Sequence, residues 1–313
     1  MRLLVTGSHG LVGSALSEAC LDADHEVVPF DIIRQGTARA EDICDRAMLA
    51  GRMAGCDGVI HLAAISRVAW GEERPDLCLR INVEGTRNVV DAALAQPHRP
   101  WLIFASSREV YGNPASRLVT EDDPITPANT YGQSKAEGER IVDEARTRGL
   151  ATATIRLSNV YGGRRDHPDR AVPALLTRAL AGEDLVITGG DNYFDFVHLD
   201  DCVTGLMSAA RLLAAGECAL PPVQLTTGVA TDLRSLARLA IAVSGSDSHI
   251  IEAPARSFDV AGFCGDPARA RELLGWQAEI DLPTGLTRLR DDLRRNGPLD
   301  PIPMPEPSQR AQD

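Results

Sequence analysis

The sequence predicts an α/β protein built around a doubly wound parallel sheet, and three observations lead to that prediction. An apolar run at residues 3–5 leads through a glycine-rich turn into a helix over about residues 14–23. A second strand at residues 26–30 follows and ends at Asp31. Strand-like and helical stretches then alternate up to a strand at residues 154–157, which is typical of parallel strands joined by crossover helices.

The turn after the first strand contains glycines at a Gly-x-x-Gly-x-x-Gly spacing. Such glycines let the backbone turn tightly and approach a pyrophosphate, which then lies at the N-terminus of the next helix. Taken alone, the spacing also fits a plain strand-to-helix turn. The position of Asp31, at the distance expected after the glycines, favours a dinucleotide site. The cofactor-binding residues predicted in the turn are Gly7, His9, Gly10, Leu11, Val12 and Gly13.

Asp31 bears on which dinucleotide is bound. A carboxylate at the end of the second strand accepts hydrogen bonds from an adenosine ribose and repels a 2′-phosphate. The sequence therefore favours NAD over NADP. Arg34 lies close by and keeps NADP open as the less favoured alternative.

The next segments extend the predicted cofactor site. Asp42 and Ile43 lie in a polar stretch that could contact the adenine edge, although a surface turn is the simpler interpretation. The following buried strand ends in the small residues Ala63 and Ala64, which would let the backbone pass close to a cofactor. His61 in the same strand is interpreted as a packed histidine rather than a catalytic one.

Two helices and a strand then follow in the predicted order. A helix over about residues 75–95 carries Asn82, and a strand at residues 101–105 leads to Ser107. A hydroxyl at the carboxyl end of a strand is well placed to polarise a substrate oxygen. The next helix covers about residues 128–149.

That helix carries Tyr131 and Lys135, which lie four residues apart and so share one helix face. Lys135 is also the only lysine in the sequence. A nearby ammonium favours the phenolate and lowers the tyrosine pKa, so the pair can act as a general acid and base. A Tyr-x-x-x-Lys pair by itself is common on solvated helices, and it gains weight here from the motifs that precede it.

Composition excludes several functional classes. The 313 residues carry a net charge of −12, which argues against non-specific binding of nucleic acid or anionic membranes. The seven cysteines are scattered, odd in number and without metal-ligand spacing, so we expect reduced thiols, no metal site and a cytoplasmic protein. The N-terminus does not resemble a signal peptide, and no apolar run is long enough to span a membrane.

The ordered motifs resemble those of the extended short-chain dehydrogenase/reductases, specifically the NAD-dependent nucleotide-sugar epimerase/dehydratase branch. The resemblance covers roughly residues 1–295 and implies a Rossmann-type NAD-binding domain. The motifs that carry it are Thr6-Gly7-x-x-Gly10-x-x-Gly13, Asp31, His61-Leu62-Ala63-Ala64, Ser106-Ser107-x-x-Val110-Tyr111-Gly112, Tyr131-x-x-x-Lys135, Arg156-x-x-Asn159-x-Tyr161-Gly162, and the segments 195–201 and 268–276.

The resemblance implies a mechanism. Tyr131 would take the proton from a sugar hydroxyl while C4 gives a hydride to NAD, and Ser107 would hydrogen-bond the same oxygen. Lys135 would contact the nicotinamide ribose and lower the pKa of Tyr131. Much of the chemistry belongs to the cofactor. Beyond the glycine turn, the implied cofactor contacts are Asp31, Asp42, Ile43, Leu62, Ala63, Ala64, Asn82, Tyr131 and Lys135.

Two residues after Ser107 bear on the reaction type. Glu109 stands where dehydratases and decarboxylases of the family carry a glutamate, which favours elimination. Arg108 stands where dehydratases carry an acid, and an arginine stays protonated and cannot serve as that acid. A purely structural pair of Glu109 and Arg108 is the remaining interpretation.

The substrate contacts are mixed. The resemblance places an arginine before Asp195 to contact the nucleotide diphosphate, but this chain has Phe194 there. Arg256 and Asn159 match the other two diphosphate contacts. Phe194 could instead stack on a base or pack in the core. The predicted substrate-binding set is Ser107, Arg108, Asn159, Arg256 and Phe194.

The predicted organisation is an NAD-binding domain at residues 1–164 and 193–215, with the latter segment returning to the sheet. A smaller, discontinuous α/β substrate domain takes residues 165–192 and 216–296, and residues 297–313 form a disordered tail. By analogy with the family we expect a homodimer.

The predicted activity is epimerisation of a nucleotide-diphosphate sugar at C4 through a transient 4-keto sugar. Dehydration or decarboxylation using Glu109 is the alternative. A non-catalytic NAD(P)(H)-binding regulator is a further one, and the intact Ser107, Tyr131 and Lys135 argue against it.

Overall fold

The computed structural model describes residues 1–33, 41–218, 220–254 and 260–300. Over those residues the strands are β1 (Arg2–Thr6), β2 (Glu26–Phe30), β3 (Gly58–His61), β4 (Trp101–Ser107), β5 (Thr152–Leu157), β6 (Asn159–Tyr161), β7 (Leu185–Thr188), β8 (Tyr193–His198), β9 (Val223–Leu225), β10 (Ala230–Asp232) and β11 (Ile250–Ala253). The helices are α1 (Leu11–Asp22), α2 (Arg46–Met53), α3 (Val68–Glu73), α4 (Pro75–Leu79), α5 (Gly85–Ala95), α6 (Thr130–Thr147), α7 (Ala171–Leu180), α8 (Leu199–Ala214), α9 (Leu233–Ser244), α10 (Ala268–Leu274) and α11 (Leu282–Asn296).

The central sheet has six strands in the order β2-β1-β3-β4-β5-β9. Every neighbouring pair in it is parallel. The order runs outward in both directions from β1 and β3, which is the doubly wound arrangement. The predicted fold class is therefore confirmed, and the carboxyl ends of β1 to β5 meet at one edge of the sheet.

Helices cover both faces of this sheet, because alternate strand residues are apolar on opposite sides. Leu3 and Val5 of β1 pack with the cluster that includes Leu206 of α8. Leu4 belongs to the opposite cluster, together with Ile141 of α6. Helices α1, α8 and α10 pack on the first face, and α2, α5 and α6 pack on the second.

A smaller part of the molecule packs around its own core. Helices α7, α9 and α11 pack with β7 and with residues of β6 and β8. Strand β8 pairs in parallel with β6 and antiparallel with β10, and β7 pairs in parallel with β11.

The strand pairings differ from the predicted domain boundaries in two places. Strand β8 was expected to return to the central sheet, but it belongs to the separate three-stranded sheet. Strand β9 was assigned to the substrate domain, but it forms the sixth strand of the central sheet beside β5. Both strands are short and buried, so their local sequence does not reveal which sheet they join.

The beginning of the predicted disordered tail is packed. Leu299 is buried in the core of the smaller part. Arg164 donates hydrogen bonds to the carbonyl oxygens of Gly297 and Pro298. The prediction of disorder is thus wrong for residues 297–300, and residues 301–313 lie outside the described part of the chain. Across the described ranges, no helix combines the length and apolar character needed to cross a membrane.

Candidate active site

A cleft of about 510 Å³ opens at the carboxyl edge of the central sheet. Its walls come from the turns that follow β1 to β5 and from the segment before α7. This edge is where open parallel sheets bind their ligands. Of the predicted site residues, those that line the cleft are Gly7, Gly10, Leu11, Val12, Gly13, Asp31, Asp42, Ile43, Leu62, Ala63, Ala64, Ser107, Arg108, Glu109, Tyr131, Lys135 and Asn159.

The glycine turn fits a pyrophosphate. Gly7 has a φ of +71°, and a Cβ there would lie 2.7 Å from the backbone nitrogen of Ala63. A Cβ on Gly13 would lie 2.0 Å from the carbonyl oxygen of Gly7. Helix α1 begins after Gly10, which supplies no side-chain cap, so the N–H groups of its first turn are available to an anion.

Asp31 joins the end of β2 to the glycine turn. Its Oδ2 accepts a hydrogen bond from the backbone N–H of His9 at 2.8 Å, and its Oδ1 accepts one from Ile33 at 2.9 Å. The side chain still lines the cleft. His9 does not line it and contributes through its backbone, whose carbonyl oxygen accepts a hydrogen bond from Arg165.

Asn82 departs from the prediction that it contacts the cofactor. Its Nδ2 donates to the carbonyl oxygen of Ile65 at 3.0 Å and to the Ser134 hydroxyl at 2.8 Å, while its Oδ1 accepts from the Ile65 N–H at 2.8 Å. The residue is buried and does not line the cleft. Asn82 therefore fixes the loop after β3 against helix α6 and acts as a positioning residue.

Tyr131 lies in the first turn of α6, where Asn129 caps the helix by accepting a hydrogen bond from Gly132 at 2.8 Å. Burial, together with the nearby Glu109 charge, raises the pKa of Tyr131 to about 12, against the lowering effect of a hydrogen bond from Ser107. The predicted pair is thus brought to the cleft, but the phenol is protonated at neutral pH.

Lys135 follows one helical turn later. Its Nζ donates to the carbonyl oxygen of Ala105 at 2.7 Å and lies 5.9 Å from the centroid of the Tyr131 ring. Burial lowers the pKa of Lys135 to about 8. Burial outweighs the lowering effects of Ser107 and Arg170 on the pKa of Tyr131 in the protein without cofactor, and the lowering of that pKa by Lys135 stays a prediction.

The turn after β4 holds Arg108 and Glu109 as a buried ion pair, with 2.6 Å between Arg108 Nη2 and Glu109 Oε1. The other carboxylate oxygen of Glu109 accepts a hydrogen bond from Asn129 Nδ2 at 2.8 Å. Arg108 Nε donates to Asn159 Oδ1 at 2.8 Å. This cluster lies directly beside Ser107 in the cleft wall.

Phe194 supports that cluster from below the cleft surface. The guanidinium carbon of Arg108 lies 4.7 Å from the centroid of the Phe194 ring, and Phe194 packs edge-on against Phe196. Phe194 does not line the cleft, so it contacts Arg108 rather than reaching a ligand directly. Arg256, the remaining predicted substrate contact, lies outside the described residues.

Sequence reasoning missed the opposite wall of the cleft. Arg67 forms a bidentate ion pair with Asp169, although the two residues are 102 positions apart. Arg67 also lies over the ring of Trp70, which meets His167 edge-on at 4.9 Å. All four residues line the cleft, but they belong to no common motif. No local pattern could have found them, because the contacts form only when two distant segments meet.

Two further predicted features are structural. His61 is buried between the hydroxyls of Thr6 and Thr86, and burial lowers its pKa to about 3, as expected for a packed histidine. Arg156 forms a buried bidentate pair with Glu139 below the site. Within the described ranges, no group of three or more His, Cys, Asp or Glu side chains is arranged to hold a metal ion.

Known proteins are similar to this chain in sequence and in fold. A UDP-glucose 4-epimerase of Mycolicibacterium smegmatis is 32% identical over 308 residues, which cover 92% of this chain and 97% of that protein. A crystal structure of a UDP-glucose 4-epimerase with UDP-glucose, from Thermotoga maritima, superposes with a TM-score of 0.86 at 26% identity and covers 94% of this chain and 99% of that one.

A dTDP-glucose 4,6-dehydratase from Streptomyces venezuelae, solved with NAD bound, superposes with a TM-score of 0.85 at 27% identity and covers 95% of this chain and 98% of that one. The family model described as the NAD dependent epimerase/dehydratase family matches residues 3–219. The predicted family and its cofactor, NAD, are thereby confirmed. The chain belongs to the NAD-dependent epimerase/dehydratase family.

Proposed function

We propose that this chain binds a nucleotide-diphosphate sugar beside NAD and epimerises the sugar at C4 through a transient 4-keto sugar. The observation that carries the proposal is the meeting of Ser107, Tyr131 and Lys135 in one cleft with the glycine turn. Relatives named as UDP-glucose 4-epimerases support the substrate class. That the substrate contains both a nucleotide and a sugar is itself part of the proposal.

The side chains divide the work as follows. The Tyr131 phenolate would take the proton from the sugar hydroxyl and later return it, while the Ser107 hydroxyl holds the reacting oxygen. NAD, when bound, would supply the hydride acceptor and donor together with a positive charge. A positive charge near Tyr131 would favour its phenolate, against the burial and the Glu109 charge that raise its pKa to about 12. Gly7, Gly13 and Asp31 hold the dinucleotide.

The contacts of Glu109 bear on whether the reaction is epimerisation or elimination. A dehydratase or decarboxylase base must be free to bind a proton, but Glu109 already pairs with Arg108 and accepts from Asn129. Both carboxylate oxygens of Glu109 are therefore already engaged by donors. These contacts support hydride return to the sugar over loss of water or carbon dioxide.

Elimination stays the second candidate because Glu109 lines the cleft beside Ser107. Dehydratases occur among the relatives, including a dTDP-glucose 4,6-dehydratase of Streptomyces griseus. The third candidate, a non-catalytic NAD(P)(H)-binding regulator, is disfavoured by the complete Ser107, Tyr131 and Lys135 set.

The test is NMR and mass spectrometry of the protein in heavy water with UDP-, TDP-, GDP- and CDP-sugars. We expect an isomer of unchanged mass that keeps its carbon-bound hydrogen at C4. Tyr131→Phe should slow the conversion by about 100-fold or more, since it removes a positioned acid-base group. A product lighter by one water and carrying solvent deuterium would replace the proposal with dehydration, and loss of carbon dioxide from a uronic-acid sugar would replace it with decarboxylation.

A further inference from the structure

The guanidinium of Arg108 is fixed on three sides. Its Nη2 pairs with Glu109 at 2.6 Å, its Nε donates to Asn159 at 2.8 Å, and its face lies over the Phe194 ring at 4.7 Å. The remaining nitrogen, Nη1, is buried and has no hydrogen-bond partner among the described residues. The side chain as a whole is 11% exposed and lines the cleft.

An unpaired guanidinium nitrogen in a buried place is costly. A buried donor without an acceptor loses its hydration without compensation, and the loss is larger for a charged group. The three fixed contacts prevent the guanidinium from turning Nη1 back toward bulk water. An acceptor supplied by a ligand would recover the loss, and an anionic oxygen would recover the most.

The carboxylate of Glu109 does not accept from Nη1. Its Oε1 pairs with Arg108 Nη2, and its Oε2 accepts from Asn129 Nδ2. Glu109 therefore holds the orientation of the guanidinium and leaves Nη1 for another partner. Asn159, on strand β6 in the smaller part, also holds the orientation of the guanidinium by accepting a hydrogen bond from Nε.

Phe194 takes the place at which the family resemblance expects an arginine. In this chain the Phe194 ring supplies no positive charge of its own. It holds the guanidinium of Arg108 over its face by a cation–π attraction. The positive group thus comes from the turn after β4 and stands next to Ser107 in the chain. It is nearer along the chain to the reacting group than a cation on β8 would be.

We propose that Arg108 is the anion-binding, specificity-determining residue of the site, and that Nη1 binds an anionic oxygen of the nucleotide sugar. Phe194, Glu109 and Asn159 are its positioning residues. The inference rests on the proposed substrate class. The oxygen belongs either to the diphosphate or to a carboxylate on the sugar.

The test is calorimetric binding to the NAD-loaded protein of UDP, UDP-glucose and UDP-glucuronic acid, and of their TDP counterparts. Arg108→Met should weaken binding at least tenfold. If all the ligands weaken, the diphosphate is the partner, and if only the uronic-acid sugar weakens, the sugar carboxylate is. The matched control is Arg234→Met, which removes a guanidinium that pairs with Asp191 and Glu252 and does not line the cleft.

Because Arg108→Met leaves Glu109 buried without its cation, the double variant Arg108→Met with Glu109→Gln removes both charges and guards against misfolding. Phe194→Leu should weaken binding as well, and Phe194→Tyr, which keeps the ring, should restore it. Unchanged affinity in the Arg108 variants, or equal affinity of Phe194→Leu and Phe194→Tyr with wild type, would overturn the inference.

The two proposals fail separately. If the wild type binds these ligands with help from Arg108 but never interconverts them, only the proposed reaction is wrong. If the wild type epimerises a nucleotide sugar but the Arg108 variants bind the ligands with unchanged affinity, only the present inference is wrong. If the wild type binds none of these ligands, both are overturned.

Discussion

Tyr131 and Lys135 share one face of α6, and burial moves both side chains toward their uncharged forms. Burial raises the pKa of the phenol to about 12 and lowers the pKa of the ammonium to about 8. Neither shift alone provides a base at neutral pH. In the proposed reaction, the phenolate of Tyr131 would therefore need positive charge brought into the cleft, such as that of the oxidised cofactor.

Lys135 leads to a prediction about stability and pH. Its pKa falls from 10.5 in an exposed chain to about 8 in the folded protein, so folding carries a cost that is complete below pH 8 and disappears as the pH rises toward 10.5. The cost is on the order of 3 kcal/mol. We expect the unfolding free energy of wild type, relative to Lys135→Met, to increase with pH across this window. Urea unfolding at a series of pH values measures it.

The comparison needs a variant whose lost charge does not titrate in the window. Arg140→Met is suitable, because Arg140 lies on the exposed face of the same helix and stays charged at these pH values. Its difference from wild type should stay flat between pH 7 and 10. A flat difference for Lys135→Met as well would mean that the ammonium is not desolvated.

At the residue scale, the sequence was most informative where the backbone itself imposes the residue. Gly7 and Gly13 were predictable because any side chain there would collide with backbone. The roles of Asn82 and Phe194 were not predictable, because each depends on a partner far away in the chain. A motif gives the position of a residue, whereas its contacts come from the packing around it.

Among the elements, α6 packs against the turn that follows β4 and Ser107. A Cβ at Gly132 would lie 2.5 Å from the carbonyl oxygen of Glu109 in that turn. Backbone cannot move aside as a side chain can. Any side chain at residue 132 must therefore push the start of the helix away from the Ser107 turn.

We therefore predict that Gly132→Ala lowers kcat and destabilises the protein by about 1 to 3 kcal/mol, the usual cost of overpacking. Tyr131 and Ser107 would be separated, so the rate should fall even at saturating substrate. Gly51→Ala in α2 is the matched control, since a Cβ there meets nothing within 4 Å. It should stabilise the protein by about 0.5 to 1 kcal/mol and leave kcat unchanged. Equal behaviour of the two variants would show that α6 has room to adjust.

The helix predicted over residues 75–95 shows what periodicity could and could not reveal. It is helical along its length, but residues Arg80–Glu84 form a π-helical turn between α4 and α5. Asn82 lies in that turn and reaches across to Ile65 and Ser134. An apolar period of 3.6 residues predicts a helix, yet it does not indicate one extra residue in a turn, because the apolar face shifts only slightly.

On the scale of the whole molecule, the sequence predicted the central sheet better than the division into two parts. The βα order of residues 1–157 fixes the topology of a parallel sheet. Strands β8 and β9 join different sheets from those predicted, because the sheet that each joins depends on which core covers it. The predicted homodimer stays a prediction, to be tested by the mass of the protein in solution.

The ion pair of Arg67 and Asp169, which both line the cleft, is one link between the two parts of the molecule. Arg67 comes from the loop after β3, and Asp169 precedes α7 of the smaller part. The Trp70 and His167 rings meet beside the pair. Both side chains of the pair line the cleft, so the pair borders the space in which we propose that the dinucleotide binds.

We predict that Asp169→Asn speeds the release of NAD by about two- to five-fold, which corresponds to a partly exposed ion pair worth up to about 1 kcal/mol. The effect should shrink as salt is added, because the Asp169 side chain is 61% exposed and its charge is screened. Loading the protein with a fluorescent NAD analogue and displacing it with an excess of NAD measures the rate from the change in fluorescence. Arg67→Gln should act alike, and the double variant should add little to either single one.

Glu144→Gln, which breaks an exposed pair with Arg140 on α6, is the control and should leave NAD release unchanged. Additive effects of the Arg67 and Asp169 variants would mean that the two side chains act separately and that the pair does not close the cleft. Faster release at all salt concentrations would instead point to lost packing at Trp70 and His167, since contact between rings is not screened by ions.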